Sequence, residues 1–321
     1  MMIDLKRLQR GAAIAISRAG AILALLAGTA ASIWPAAAAA DAPASTAVTA
    51  GPADVLRVPT RVADTAAGPV GYRELGAGSP LLLIMGSSGS MDYWPPSFVD
   101  ALAARHRVIV FDNAGVGKTA ALSSPLTVIA MAKQTSALIS TLRLRRPAVL
   151  GWSMGGMVAQ ALAVLHPSQV SRLVLAATQA GTGRSLPIPA GPAAILAGPN
   201  PAAALSVIFP PNQVAAAHAY VKGILQYKPF YTASAATKKR QTAAIKRWMA
   251  GKDPAGRKLG TLCVPTLVAD GALDELNPTA NDRLLARTIP GARLIIYPGA
   301  GHAFLFQDAR AFEAKFERFL K

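Results

Sequence analysis

Short, almost wholly apolar runs recur along the chain at 80–85, 107–111, 147–151, 170–176, 264–269 and 292–297. Each is too short for a buried helix and lacks the alternation of a half-exposed strand. Such runs fit strands covered on both faces, as in a parallel sheet. Between them, apolar residues recur at helical spacing near 96–104, 127–143, 154–166, 278–288 and 308–320. Strands alternating with helices predict an α/β fold, a doubly wound, mostly parallel sheet. Two further strand-like runs, 55–62 and 69–75, precede this series and are divided by Gly68-Pro69. The alternation breaks between 178 and 258, where Pro187, Pro189, Pro192, Pro199, Pro201, Pro210 and Pro211 interrupt the chain and helical segments follow. That stretch reads as a helical cap or lid inserted into a core formed by 55–177 and 259–321.

The first 40 residues have a different character. Lys6, Arg7, Arg10 and Arg18 precede a mostly apolar run from 19 to 31, and Ala38-Ala39-Ala40 stands before Asp41. A basic start, a short apolar stretch and an A-x-A site describe a secretory signal. The apolar run is broken by Gly28, Thr29 and Pro35 and is shorter than the roughly 20 residues needed to span a bilayer. Export to a periplasm or beyond is the expectation. Residues 41–54, rich in Ala, Pro, Ser and Thr, read as a flexible tether because they offer little apolar surface to offset ordering entropy.

Composition narrows the partners. The formal net charge is +17, much of it in Arg143, Arg145, Arg146 and in the cluster from Lys238 to Lys258. No nucleic-acid-binding signature accompanies these cations, so they read as a solvated face, with loose electrostatic attraction to an anionic envelope and no nucleic-acid partner. The segment from Asp112 to Thr119 ends Gly117-Lys118-Thr119, yet the phosphate-loop pattern requires glycine where Asp112 stands. Nucleotide binding is rejected. The single cysteine, Cys263, has no basic neighbour and reads as a buried, inert thiol.

The chemistry centres on Gly151-Trp152-Ser153-Met154-Gly155-Gly156, which lies between an apolar run and a helical one. A G-x-S-x-G between strand and helix puts the serine on a sharp turn with its hydroxyl exposed at the strand tip. The pattern alone is weak; its context strengthens it. A serine hydroxyl needs an adjacent base, and the base an orienting acid. Of four histidines, His106 precedes a strand, His166 ends a helix before Pro167, and His218 lies in the insertion. His302 follows the last predicted strand in Pro298-Gly299-Ala300-Gly301-His302, where open parallel sheets carry their ligand-facing loops. Asp270 and Asp274, after the strand at 264–269, are both candidates for the acid, and spacing does not separate them.

These motifs resemble the α/β-hydrolases of the serine esterase, lipase and cofactor-free haloperoxidase group, over roughly residues 69–320. The resemblance rests on the Ser153 elbow, on Gly271-Ala272-Leu273-Asp274 and on Gly301-His302. It implies Ser153 as nucleophile, His302 as base, Asp274 rather than Asp270 as acid, and the Ser87 and Met154 N–H groups as oxyanion donors. It calls for no metal and no cofactor. Two positions depart from it: Met85-Gly86 where similar enzymes often have His-Gly, and Ala114-Gly115 where they often have Arg-Gly. The substrate is read as a small-molecule carboxylic ester with an apolar or aryl group, because Trp94 and Trp152 adjoin the motifs and the insertion is rich in aromatics. Two alternatives stand beside it: perhydrolysis of haloperoxidase type on the same triad, and a non-catalytic binding protein on this scaffold.

Overall fold

A computed structural model of the chain describes residues 53–198 and 200–321. The proposed signal segment and all but the end of the tether lie outside the described residues. Eight strands form one sheet: β1 (Arg61–Thr65), β2 (Gly68–Leu75), β3 (Pro80–Ile84), β4 (Arg107–Phe111), β5 (Ala148–Trp152), β6 (Arg172–Ala176), β7 (Thr266–Gly271) and β8 (Arg293–Tyr297). Their order across the sheet is β1-β2-β4-β3-β5-β6-β7-β8. The β1–β2 and β2–β4 pairs are antiparallel, and all the others are parallel.

The apolar runs explain themselves in this sheet. In β3, Leu81 and Leu83 enter the core on one face while Leu82 and Ile84 enter the core on the other, and all four are fully buried. Successive strand side chains point to opposite faces, so a strand covered on both sides has no position for a polar residue. Each such side chain contributes about 1.5–3 kcal/mol by leaving water. Helices α1 (Pro96–Ala103), α2 (Val128–Thr141), α3 (Met154–Leu165), α8 (Thr279–Thr288), the short α9 (Phe304–Gln307) and α10 (Ala309–Leu320) supply the cover.

Two expectations need correcting. The run 55–62 is not one strand: Val55–Arg57 is a 3-10 turn whose Asp54 side chain accepts the Leu56 N–H, and β1 begins only at Arg61. The Val55 N–H is claimed by Asp100 Oδ1 at 2.8 Å, and Pro59 has no N–H to give a ladder. Cys263 is exposed rather than buried. It lies ahead of β7, between buried Leu262 and buried Val264, and so points outward.

Between β6 and β7 the chain forms α4 (Ala190–Ala197), α5 (Pro201–Ile208), α6 (Val214–Ile224) and α7 (Ala235–Met249). Since β6 and β7 pair directly, this insertion leaves the sheet and returns beside its point of departure. It is bonded to the core by buried tyrosines: Tyr220 donates to Tyr93 O at 3.1 Å and Tyr227 to Trp94 O at 3.0 Å. Among the described residues, no helix is long and apolar enough to cross a membrane.

Candidate active site

Four loops at the carboxyl ends of parallel strands converge: Gly86 to Ser90 after β3, Ser153 after β5, Asp274 after β7 and His302 after β8. Ser153 is the residue between β5 and α3, with φ 57° and ψ −122°. A non-glycine residue held there costs about 1–3 kcal/mol, which the surroundings must outweigh. They do so with backbone contacts: the Ser153 N–H donates to Ala176 O at 2.8 Å, and the Thr178 hydroxyl donates to Ser153 O at 2.7 Å. The turn is tight enough to demand glycine at 155, where a Cβ would stand 2.0 Å from Ile84 O. At Gly86 a Cβ would stand 3.2 Å from Ser153 Cβ and 3.8 Å from its Oγ, so the β3 loop lies directly against the nucleophile candidate.

His302 is buried, and its Nδ1 is 2.7 Å from Asp274 Oδ2. The other oxygen of Asp274 accepts the Leu276 and Asn277 N–H groups at 2.7 and 2.9 Å. With that oxygen engaged, the carboxylate has one oxygen for the imidazole, which favours the tautomer with hydrogen on Nδ1 and leaves Nε2 as the acceptor. The loops that carry Asp274 and His302 are bonded to each other, Leu273 N–H to Ala300 O at 2.8 Å and Ala272 N–H to Tyr297 O at 2.9 Å. Trp152 donates its indole N–H to His302 O at 2.9 Å, tying the neighbour of Ser153 to the His302 loop. No hydrogen bond joins Ser153 Oγ to His302 in this structure; such contacts often tighten only when substrate binds. Among the described residues, neither the Ser87 nor the Met154 N–H donates a hydrogen bond, leaving both available to an oxyanion.

The remaining candidates fall elsewhere. His106 pairs with Glu317 at 2.9 Å, His166 stands at the end of α3, and His218 is exposed on α6. Asp270 does not reach the histidine. It accepts the Gly271 N–H at 2.7 Å and Asn277 Nδ2 at 2.8 Å, and Asn277 Nδ2 also donates to Asp282 Oδ1 at 2.9 Å. Trp94 needs correcting as a pocket-lining residue. Trp94 has no exposed surface and stacks on Phe98, and both tryptophans meet the edge of Phe306. Both rings pack among core residues, and the Trp152 ring lies 5.6 Å from that of His302.

Sequence reasoning missed several supports. Thr178 and Asn113, whose Nδ2 donates to Met85 O at 2.8 Å, stand just after strand ends, a place that could have marked them. Gln241 of α7, whose Oε1 accepts the Ser88 N–H at 2.7 Å, carries no such local mark. Among the described residues, no group of three or more His, Cys, Asp or Glu side chains is placed to hold a metal ion.

Buried carboxyls give the fold a pH dependence. Burial, above all, pushes Asp112 up to about 7, although the Met91 and Lys118 N–H groups pull the other way. Burial likewise raises Asp282 to about 8, and burial with the charges of Asp274 and Asp282 holds Asp270 well above the carboxylate range. The folded chain therefore keeps protons that the unfolded chain releases above about pH 4. With more protons bound in the folded state, stability falls as pH rises, for Asp112 by about 1.4 kcal/mol per unit until its folded pKa is passed. Denaturant unfolding between pH 5 and 7 should show Asp112→Asn with a shallower decline than wild type, by about one such increment.

The profile of the alpha/beta hydrolase fold matches residues 79–205. The chain is 30% identical over 251 residues to a protein named putative carbamate hydrolase RutD from Caulobacter sp. (strain K31), a match covering 75% of this chain and 90% of that one. It is 31% identical over 247 residues to a poly(3-hydroxyalkanoate) depolymerase from Ectopseudomonas oleovorans, covering 76% and 84%. Among solved structures, an alpha/beta hydrolase fold protein from Chitinophaga pinensis superposes with a TM-score of 0.76 at 26% identity, covering 84% of this chain and 99% of that one.

Proposed function

Because this chain belongs to the α/β-hydrolase fold family, we propose that it is an exported serine hydrolase that cleaves carboxylic esters of apolar or aryl substrates through an acyl-enzyme. The observation that carries the reading is the Asp274–His302 contact of 2.7 Å, made in the same loop cluster as a strained serine at the end of β5. A buried carboxylate that fixes an imidazole in the same loop cluster as a half-buried serine turn has an evident use in activating the hydroxyl. The reaction follows from the groups present. His302 Nε2 takes the Ser153 proton as Oγ attacks the ester carbonyl, and Asp274 stabilises the imidazolium. The Ser87 and Met154 N–H groups receive the oxyanion, each contributing about 3–4 kcal/mol in the transition state. His302 then returns the proton to the leaving alcohol, and water reverses the sequence on the acyl-enzyme. Export rests on the basic, then apolar, then A-x-A order of residues 1–40.

Hydrolysis of p-nitrophenyl esters from two to sixteen carbons, followed by p-nitrophenolate release, tests the reading. A rate that peaks at one acyl length is expected and would size the pocket. Absence of release at every length would overturn the ester assignment.

A further inference from the structure

The loop that presents Ser87 is not held by the sheet alone. Ser88 lies in the left-handed region, φ 68°, where a serine is strained and needs external support. Both sides of that residue are bonded to one stretch of the insertion. Its N–H donates to Gln241 Oε1 at 2.7 Å, and its C=O accepts the Ala233 N–H and the Thr232 hydroxyl, each at 3.0 Å. Gly89 and Thr232 form a β-bridge beside these contacts. Three hydrogen bonds from the insertion thus fix the residue next to the oxyanion donor.

Gln241 stands out among them. It is fully buried on α7, and its amide orientation is fixed, since only the oxygen can face a donor N–H. The amide nitrogen is then left buried with no partner among the described residues. An unmet buried donor works against folding, so packing alone gives no reason for glutamine here. Leucine or methionine would fill the space without that unmet donor, but would leave the Ser88 N–H without its acceptor. What glutamine supplies is the acceptor for Ser88.

We propose that Gln241 is a positioning residue for the reaction: through Ser88 it holds the Ser87 N–H where the oxyanion forms, so that the insertion completes the oxyanion hole. This rests on the serine-hydrolase reading above. The oxyanion appears only on the way to the tetrahedral intermediate, so a misplaced donor lowers kcat and leaves substrate binding nearly unchanged. Displacing a reacting group by about 1 Å costs on the order of 100-fold.

The test compares wild type, Gln241→Met, Gln241→Glu and Ser153→Ala on the p-nitrophenyl ester that wild type cleaves fastest, with Tm recorded for each. Gln241→Met should lower kcat by about 10–100-fold with KM within about threefold, while Tm changes little, because the variant removes an unmet donor and an acceptor for the Ser88 N–H at once. Gln241→Glu, which keeps an oxygen facing the Ser88 N–H, should recover most of the lost kcat. Wild-type kcat in Gln241→Met would overturn the inference. So would a joint loss of kcat and Tm in Gln241→Met that Gln241→Glu does not repair, because that pattern describes a packing residue. A wild-type rate that survives Ser153→Ala would instead bring down the serine-hydrolase reading, and this inference with it.

Discussion

Replacing Ser153 by alanine should reduce kcat on a p-nitrophenyl ester by about 10⁴–10⁶-fold while the protein still unfolds cooperatively near the wild-type Tm. The size follows from the loss of the proposed covalent route: without Oγ, water would have to attack a carbonyl polarised only by the proposed oxyanion donors, the Ser87 and Met154 N–H groups. Stability should change little. The hydroxyl oxygen makes no hydrogen bond in the structure, whereas the turn is held by the backbone of Ser153 through Ala176 and Thr178. A residual rate above the uncatalysed reaction is expected from the oxyanion donors and binding alone. Burst kinetics give a second reading: wild type should release a rapid first equivalent of p-nitrophenolate if deacylation is slow, and Ser153→Ala should show none. A Ser153→Ala variant with wild-type turnover would remove this residue from the mechanism.

Asp274 and Asp270, four residues apart, should fail in opposite ways. In Asp274→Asn, the amide oxygen is needed by the Leu276 and Asn277 N–H groups, which turns the amide N–H2 toward His302 Nδ1. The imidazole then has to accept at Nδ1 and carry its hydrogen on Nε2, the nitrogen that must take the serine proton. A fall in kcat of about 10⁴-fold is expected with only a small change in Tm. In Asp270→Asn, an amide NH2 replaces one of two oxygens that both accept hydrogen bonds, from Gly271 and Asn277. One buried N–H then faces another, at a cost of about 1–3 kcal/mol in stability. kcat should change by less than about tenfold, since Asp270 does not touch the imidazole. Steady-state kinetics and thermal unfolding of the two variants, side by side, separate the roles. Similar kinetic losses in both would show that the buried carboxyls act as one unit.

That contrast marks where the sequence was legible. Strand, turn and helix around Ser153 are encoded by contiguous residues, because the glycines at 151, 155 and 156 permit a backbone approach that other residues would block. The continuous apolar runs of β3 and β5 likewise announce a sheet covered on both faces. Asp270 and Asp274 look alike in sequence, since the difference lies in which side chain the turn after β7 directs at His302. Trp94 misleads for a related reason: an aromatic beside a motif suits a pocket and a core equally, and the stack on Phe98 with the edge contact to Phe306 decides. Gln241 was illegible, as its partner lies 153 positions away and no periodicity records the pairing.

The insertion is also anchored where it begins. Asn281, on α8 just beyond the Asp274 loop, takes both backbone groups of Leu186: its Oδ1 accepts the N–H at 2.7 Å and its Nδ2 donates to the C=O at 3.1 Å. The same Nδ2 donates to Asn277 Oδ1 at 3.0 Å, beside the Asp274 turn. Recombination between relatives therefore has a poor seam at the ends of the inserted segment. A crossover that brought in a foreign stretch between β6 and β7 would part Leu186 from Asn281 and Ser88 from Gln241 together. The unit that can be exchanged intact is larger than the insertion, and includes the β3 loop and the start of α8.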